Sequence, residues 1–587
     1  MLRKAQVFAL SVVLLPLTSW AQSIRVDVDA GQSIRLISPL LYGINTARWD
    51  ESLFPGASNE MLLGSDRGAI IKIKASGVTL LKYPGGNDAD HYIWNSPSNN
   101  ATEMDTDEYI ALCREVRAEP FITINFNEPP ELAAEWVRYC NIIRGYNVKL
   151  WEVGDEQWGT WAKGHAPPEK YAEKYIAFVK AMRAVDPTIK VATNVPLGPH
   201  PENWTERVLR AAGNYVDMLT YTFFPQQWGK ENDDTLFASV PKFRSLILKL
   251  REDVERIVGR ERARTILYIN VGYNSVNHSP GPQTLQIVNA LWAADMLGTM
   301  AEVDTDIGCY WALHNFYPPR GGDYGYLSSE GSNTPRYNYY VFPMFVHRFG
   351  KELLRAHSSD PMLSVYAGRT GKALSIALIN KDSKRARSVD ISLRDFIPLG
   401  RGEVWILDSR RKHEKLPDIS NASERFSLTV PPYSLMMVRL VDRDSILPQQ
   451  NLAPLAVPSA SSFSTIGPHF KPESAMDGNL HTRWNSAAWT KSNGEETQWF
   501  QLSWRRPQEI SRIVIRWGET FAVKYALQVS NDGKNWKTIR EVIDGKGGID
   551  EFETATVKAT HLRINGQRGS KGISAYSIRE LEVLSRK

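Results

Sequence analysis

Only three cysteines, Cys113, Cys140 and Cys309, occur in 587 residues. That number permits at most one internal disulfide, and none of the three has the Cys-x-x-Cys or Cys/His spacing of a zinc site. Each sits among apolar neighbours, so buried free thiols are expected. Charge of one sign is equally scarce: 70 basic against 65 acidic side chains leave +5, with no long basic run to line a nucleic-acid groove. Nucleic acid is therefore not an expected partner. Long apolar runs are missing beyond the first segment, so no transmembrane anchor is expected. Neither a phosphate-binding glycine loop nor a Ser/His/Asp signature stands out.

What is present begins with a basic start (Arg3, Lys4), an apolar stretch over 7–17 and a small-x-small site at Ser19-Trp20-Ala21. This reads as a signal peptide over 1–21, which predicts a secreted or periplasmic protein. The remaining length suits two to four domains. Residues 24–29 and 32–37 alternate like two strands. Short apolar runs at 41–45, 80–83, 120–125, 148–153, 189–193, 216–221, 266–271 and 308–313 then read as eight strands. Helical stretches lie between them: 171–185 puts Tyr171, Tyr175, Phe178, Val179 and Met182 on one face, and 245–258 behaves similarly.

Eight alternating repeats predict a (β/α)8 TIM barrel over 22–351, together with the N-terminal strands. Residues 352–442 turn to strands without a convincing helix, which reads as an accessory β-sandwich. A polar linker at 443–450 leads to a second all-β module at 451–587. The fold class is thus multidomain.

In such a barrel the active site lies at the C-terminal strand ends, where Asn45, Asp88, Asp90, Asn125, Glu128, Asp155, Glu156, Asn270, Tyr273, Asn274, His314 and Asn315 would converge. Trp151-Glu152-Val153-Gly154-Asp155-Glu156-Gln157-Trp158 is the richest of these ends, with carboxylates flanked by tryptophans. Glu156 could protonate a leaving oxygen, a task that requires a second carboxyl group across a sugar.

Several motifs carry a resemblance. Tyr83-Pro84-Gly85-Gly86 with Asp90 and Trp94, Trp136-Val137-x-Tyr139-x-Asn141, Gly154-x-Glu156, Tyr273-Asn274-Ser275 and Trp311-Ala312-Leu313-His314-Asn315 resemble α-L-arabinofuranosidase-like retaining glycoside hydrolases, over roughly 35–440. The resemblance implies Glu156 as acid/base and a nucleophilic Glu just before Tyr273. Gly272 stands there instead, and glycine cannot attack an anomeric carbon. Asp155 replaces the usual Asn before the acid/base, and Thr222 stands near the position of a usual His. Glu128 occupies a place where a small residue is usual, and is the candidate for a relocated base. Asn45, Asp90, Trp94, Asp155, Trp158, Asn274 and His314 are expected substrate-binding residues. Trp158 and Trp161 read as a cleft wall, whereas Trp136 and Trp311 taken singly read as core.

The last module resembles the discoidin or coagulation-factor-5/8 type C domain, through Ala475-Met476-Asp477-Gly478, Thr482-Arg483-Trp484, Gln498-Trp499-Phe500 and Ser530-Asn531-Asp532-Gly533. The likeness implies glycan binding at loops, with Trp489, Phe521 and Tyr576 as candidate exposed aromatics. It also implies a structural Ca²⁺ held by oxygens near Asp477, Thr482 and Glu580. No cofactor for chemistry is expected, and the expected partner is a glycan or polysaccharide.

Three readings stay open at this point. One is an exported carbohydrate-binding protein whose barrel has lost ordinary retaining catalysis. Another is an active arabinofuranosidase-like hydrolase with Glu156 as acid and a base such as Glu128. The third is a surface adhesion or scaffolding protein.

Overall fold

The computed structural model describes residues 23–53, 60–96, 103–315, 321–328, 333–442, 450–465, 470–488, 497–570 and 575–585. The expected signal segment, Trp489 and most of the linker lie outside them. The chain divides into two compact units, with the boundary between residues 443 and 444.

In the first unit, strand β1 (Ile24–Leu36) precedes a closed parallel barrel of β2 (Gly43–Asn45), β3 (Leu80–Tyr83), β4 (Glu119–Ile124), β5 (Leu150–Val153), β6 (Lys190–Asn194), β7 (Met218–Phe223), β8 (Leu267–Tyr273) and β9 (Ile307–Tyr310). All eight expected barrel strands are present. The two N-terminal strands expected at 24–29 and 32–37 are one strand, its register slipping between Asp29 and Ser33.

Alternation along each strand decides what fills the barrel. Leu80, Phe121, Leu150, Ala192, Met218, Ile269, Ile307 and Cys309 form an apolar plug within it. Two residues further along their strands come Lys82, Thr123, Glu152 and Thr220, all buried, so a polar layer caps the plug below the strand ends. The other strand face packs outward: Leu81, Tyr83, Ile122, Trp151, Val153 and Val191 share one core with the helices. Helix Pro168–Val185 turns Tyr171, Tyr175, Phe178, Val179 and Met182 inward, as its spacing predicts. The helix expected at 245–258 is longer, Asp233–Val258. It starts on an Asn232 cap and carries Pro241 inside, which interrupts the helical reading of its first half.

The accessory part is a nine-stranded sheet made of β1 and β10 (Glu352–Ser358), β11 (Leu363–Thr370), β12 (Ala373–Asn380), β13 (Arg387–Arg394), β14 (Pro398–Leu407), β15 (Glu414–Ala422), β16 (Arg425–Val430) and β17 (Ser434–Asp442). β1 lies between β10 and β13, which ties the N-terminus into the sheet. One set of side chains, including Val26, Ile376, Val404 and Val438, forms the core of this sheet, whereas Tyr366, Ile379 and Met437 join the barrel core. The approach is close enough that a Cβ on Gly298 of helix Ile287–Glu302 would lie 2.4 Å from the Tyr366 ring.

The second unit is an eight-stranded antiparallel arrangement dominated by strands Gln498–Trp517 and Ile549–Gly569. It has its own core of Trp484, Phe500, Leu502, Trp504, Trp517 and Tyr576. Tyr576, expected as a loop aromatic, is fully buried with its hydroxyl donating to the Gln498 carbonyl. Phe521 packs partly buried against the same core. The three cysteines are buried free thiols, as expected.

Candidate active site

A cleft of about 910 Å³ opens at the C-terminal ends of the barrel strands. β5 ends at Val153, and Gly154 turns the chain with φ +68, so that Asp155 and Glu156 follow immediately at the rim. Buried Asp90 pins this turn, accepting from the backbone N–H of Asp155 at 3.1 Å and of Phe126 at 2.9 Å and from Gln157 Nε2 at 2.6 Å. Burial pushes the Asp90 carboxyl up to about 7. Asn194 completes the anchor by accepting from the Gln157 N–H at 2.8 Å.

Glu156 is held in a left-handed conformation, φ +51, which an ordinary side chain adopts only when its surroundings enforce it. Its two carboxyl oxygens receive the Thr222 hydroxyl and, at 2.9 Å, the indole N–H of Trp161. Burial, reinforced by the charge of Asp155, raises the carboxyl from its ordinary 4.5 to about 7 despite those two donors. Glu156 is thus poised to give up a proton near neutrality. Trp161 is 61% exposed and stands edge-on to Trp158, with ring centroids 5.0 Å apart, so the two indoles form a corner of the cleft.

Below this rim lies a buried ion cluster. Lys82 Nζ lies 3.1 Å from Glu152 and 3.4 Å from Asp155, with side chains 1%, 0% and 8% exposed. The two carboxylates outweigh the desolvation of Lys82 and hold its ammonium above the ordinary lysine range. Asn87 Nδ2 donates to Asp155 at 2.7 Å, and Thr123 donates to Glu152 at 2.8 Å.

Gly272, on β8, is paired in register with Thr222 of β7, the residue that holds Glu156. A Cβ built on Gly272 meets nothing closer than Thr222 Cγ2 at 3.5 Å and Phe224 at 3.7 Å. The position therefore faces space that a side chain could enter, and glycine leaves it open to the cleft.

Of the expected site residues, Asn45, Asp155, Glu156, Trp158 and Gly272 line the cleft. Asn45 gives Nδ2 to the Val271 carbonyl at 2.8 Å, and its buried Oδ1 has no hydrogen-bond partner among the described residues. Trp161 and Asn315 line the cleft as well, whereas Asp90, Trp94, Glu128, Asn274 and His314 are not part of the lining. Asp90 is the anchor beneath the turn. Trp94 stacks on Trp136 at 5.9 Å. Buried Asn274 donates to the Trp311 carbonyl at 2.6 Å and accepts from Ser275 N–H at 2.7 Å, bracing the strand ends. His314 is buried between Asp50, 2.9 Å from Nδ1, and Asn333, 2.7 Å from Nε2, and these partners raise its pKa against the cost of burial. Glu128 is half-buried and acts electrostatically on Lys174 of helix Pro168–Val185.

Sequence reasoning missed Lys82, Asn87, His200 and Phe224, which all line the cleft, and assigned Trp311, also in the lining, to the core. Lys82 was discoverable in principle, because a lysine two residues beyond Leu80 on the inward face of a buried barrel strand needs carboxylate partners.

In the C-terminal unit, Thr482 Oγ1 donates to Asp477 at 2.8 Å, and Glu580 accepts from the Gly478 N–H at 3.2 Å. Burial and the charge of Asp477 raise the Glu580 carboxyl. Asp477 and Thr482 of the turn and Glu580 of the strand Ser577–Ser585 thus supply two carboxylates and a hydroxyl around Gly478, oxygens of the kind that suit Ca²⁺. Among the described residues no group of three or more His, Cys, Asp or Glu is arranged to hold a metal.

Comparison with known proteins agrees with this fold. Residues 459–581 match the F5/8 type C domain family. The chain is 27% identical over 203 residues to the probable alpha-L-arabinofuranosidase C of Aspergillus clavatus, covering 28% of this chain and 40% of that protein. It is 24% identical over 303 residues to the intracellular exo-alpha-(1->5)-L-arabinofuranosidase of Acetivibrio thermocellus, covering 43% of this chain and 59% of that one. Both matches therefore span less than two thirds of the relatives' length. Among solved structures, the alpha-L-arabinofuranosidase of Thermotoga maritima in its arabinose complex superposes with a TM-score of 0.61 at 20% identity, over 71% of this chain and all of that one. The arabinofuranosidase of Xanthomonas axonopodis pv. citri gives 0.60 at 16% identity, over 71% and 99%. Those identities carry the fold alone. The chain is accordingly an arabinofuranosidase-like barrel of the glycoside hydrolase fold, followed by an F5/8 type C domain.

Proposed function

We propose that this is an exported carbohydrate-binding protein whose barrel keeps the acid of a retaining glycosidase and has lost the protein-borne nucleophile. The observation that carries the reading is the pairing of Gly272 with Thr222, the residue that holds Glu156. A nucleophile belongs about 5 Å from the acid across the sugar, and glycine supplies none. The retained turn, the Trp158/Trp161 corner and the cleft volume support glycan binding. A relocated base at Glu128 lacks comparable support, because Glu128 is not part of the lining.

Aryl α-L-arabinofuranosides test this directly. The unmodified protein is expected to be inert on them, and Gly272→Glu, for which there is room, to gain turnover. Turnover by the unmodified protein that vanishes in Glu156→Gln would overturn the reading. So would glycan-array silence of the whole protein combined with binding to phospholipid vesicles, which favours a scaffold.

The C-terminal domain is proposed to add a second glycan contact and to hold Ca²⁺ through Asp477, Thr482 and Glu580, where the ion would neutralise facing carboxylates. Ca²⁺ is expected to raise its unfolding temperature and a chelator to lower it, with Asp477→Ala insensitive to both.

A further inference from the structure

Resting on that reading, we propose that the cleft hydrolyses glycosides that bring their own nucleophile, a 2-acetamido group, with Glu156 as acid and then base and Asp155 holding the amide N–H. Among the described residues, Asp155 and Glu156 are the only carboxylates lining the cleft. Both issue from the end of β5, with the Asp155 carboxyl turned to Lys82 and Asn87 and the Glu156 carboxyl to Thr222 and Trp161. No carboxylate of the described lining comes from a second strand end, whereas ordinary retaining and inverting chemistry place a second carboxyl across the ring. An attacker supplied by the substrate removes that requirement.

The site is built for that arrangement. Gly272 leaves room beside Thr222 where an acetamido group can fold under the anomeric carbon. Lys82 at 3.4 Å and Asn87 at 2.7 Å fix the Asp155 carboxylate as an acceptor. Asn45 Oδ1, buried and without a partner among the described residues, adds an acceptor for a sugar hydroxyl.

The step balances without a further reagent. The acetamide oxygen bonds to the anomeric carbon as the glycosidic C–O bond breaks, and the Glu156 proton passes to the departing oxygen. The resulting oxazolinium N–H is held by Asp155. Water then adds to the anomeric carbon as its bond to the acetamide oxygen breaks and that electron pair returns to the amide; the water's proton passes to Glu156, and the 2-acetamido sugar leaves with retained configuration.

The test uses the full-length protein and aryl 2-acetamido-2-deoxy-β-glycosides of gluco and galacto configuration, in which the acetamido group lies trans to the leaving group. Turnover is expected, with kcat falling about 10²–10⁴-fold in Glu156→Gln and in Asp155→Asn. Because Asp155→Asn also takes a partner from Lys82, a second readout uses the unmodified protein alone. Replacing N-acetyl by mono-, di- and trifluoroacetyl weakens the amide oxygen and should lower kcat at each step. No turnover of either configuration, or a rate indifferent to fluorination, overturns the proposal. Isothermal titration with a glycan panel separates the two failures: cleft binding without acetamido turnover removes only this inference, whereas no binding that depends on Trp158 removes the wider reading.

Discussion

Glu156 shows how much chemistry one side chain can hold in readiness. Its carboxyl, raised from 4.5 to about 7, stays protonated in the folded protein at pH values where the unfolded chain has released the proton. Unfolding therefore releases a proton between those values, and the group's contribution to stability falls as pH rises through that window. Melting temperatures measured from pH 4 to 8 should decline less steeply in Glu156→Gln than in the unmodified protein. Lys82 makes the opposite kind of prediction. Lys82→Met leaves Glu152 and Asp155 facing each other without a counter-charge, and breaking such a buried pair costs ~3–5 kcal/mol. Urea titration of the barrel unit should show the midpoint shift, and Glu152→Gln in the Lys82→Met background should recover part of it.

Elements were legible where one periodicity governed them. All eight barrel strands could be read from short apolar runs because each buries both faces, one in the plug and one under the helices. β15 carries little apolar pattern because most of its residues are exposed at the sheet edge. Helix Thr106–Val116 has a local signature: Asp105 accepts from the Glu108 N–H at 2.9 Å and Glu108 returns the bond to the Asp105 N–H at 2.8 Å. Asp105→Ala should cost ~1 kcal/mol, readable by denaturant unfolding. The candidate site was half legible for a related reason. Sequence marks a strand end but not the side to which each residue turns, so Asn274 and His314 were grouped with Glu156 although both are internal braces.

At the scale of the whole molecule, the chain is two units with separate cores. A fragment spanning 450–587 should unfold cooperatively by calorimetry, because Trp484, Phe500, Trp517 and Tyr576 find their partners within it. By itself the sequence determined the barrel, the all-β modules and the free cysteines, because periodicity and residue identity are local properties. Only the tertiary structure decided that Gly272 stands in register with the residue holding Glu156, that Lys82 pairs with Asp155, and that Trp94, Asn274 and His314 brace the site from outside the cleft lining. Those facts depend on which strands become neighbours and which way each side chain turns, and the closing of the barrel sets both.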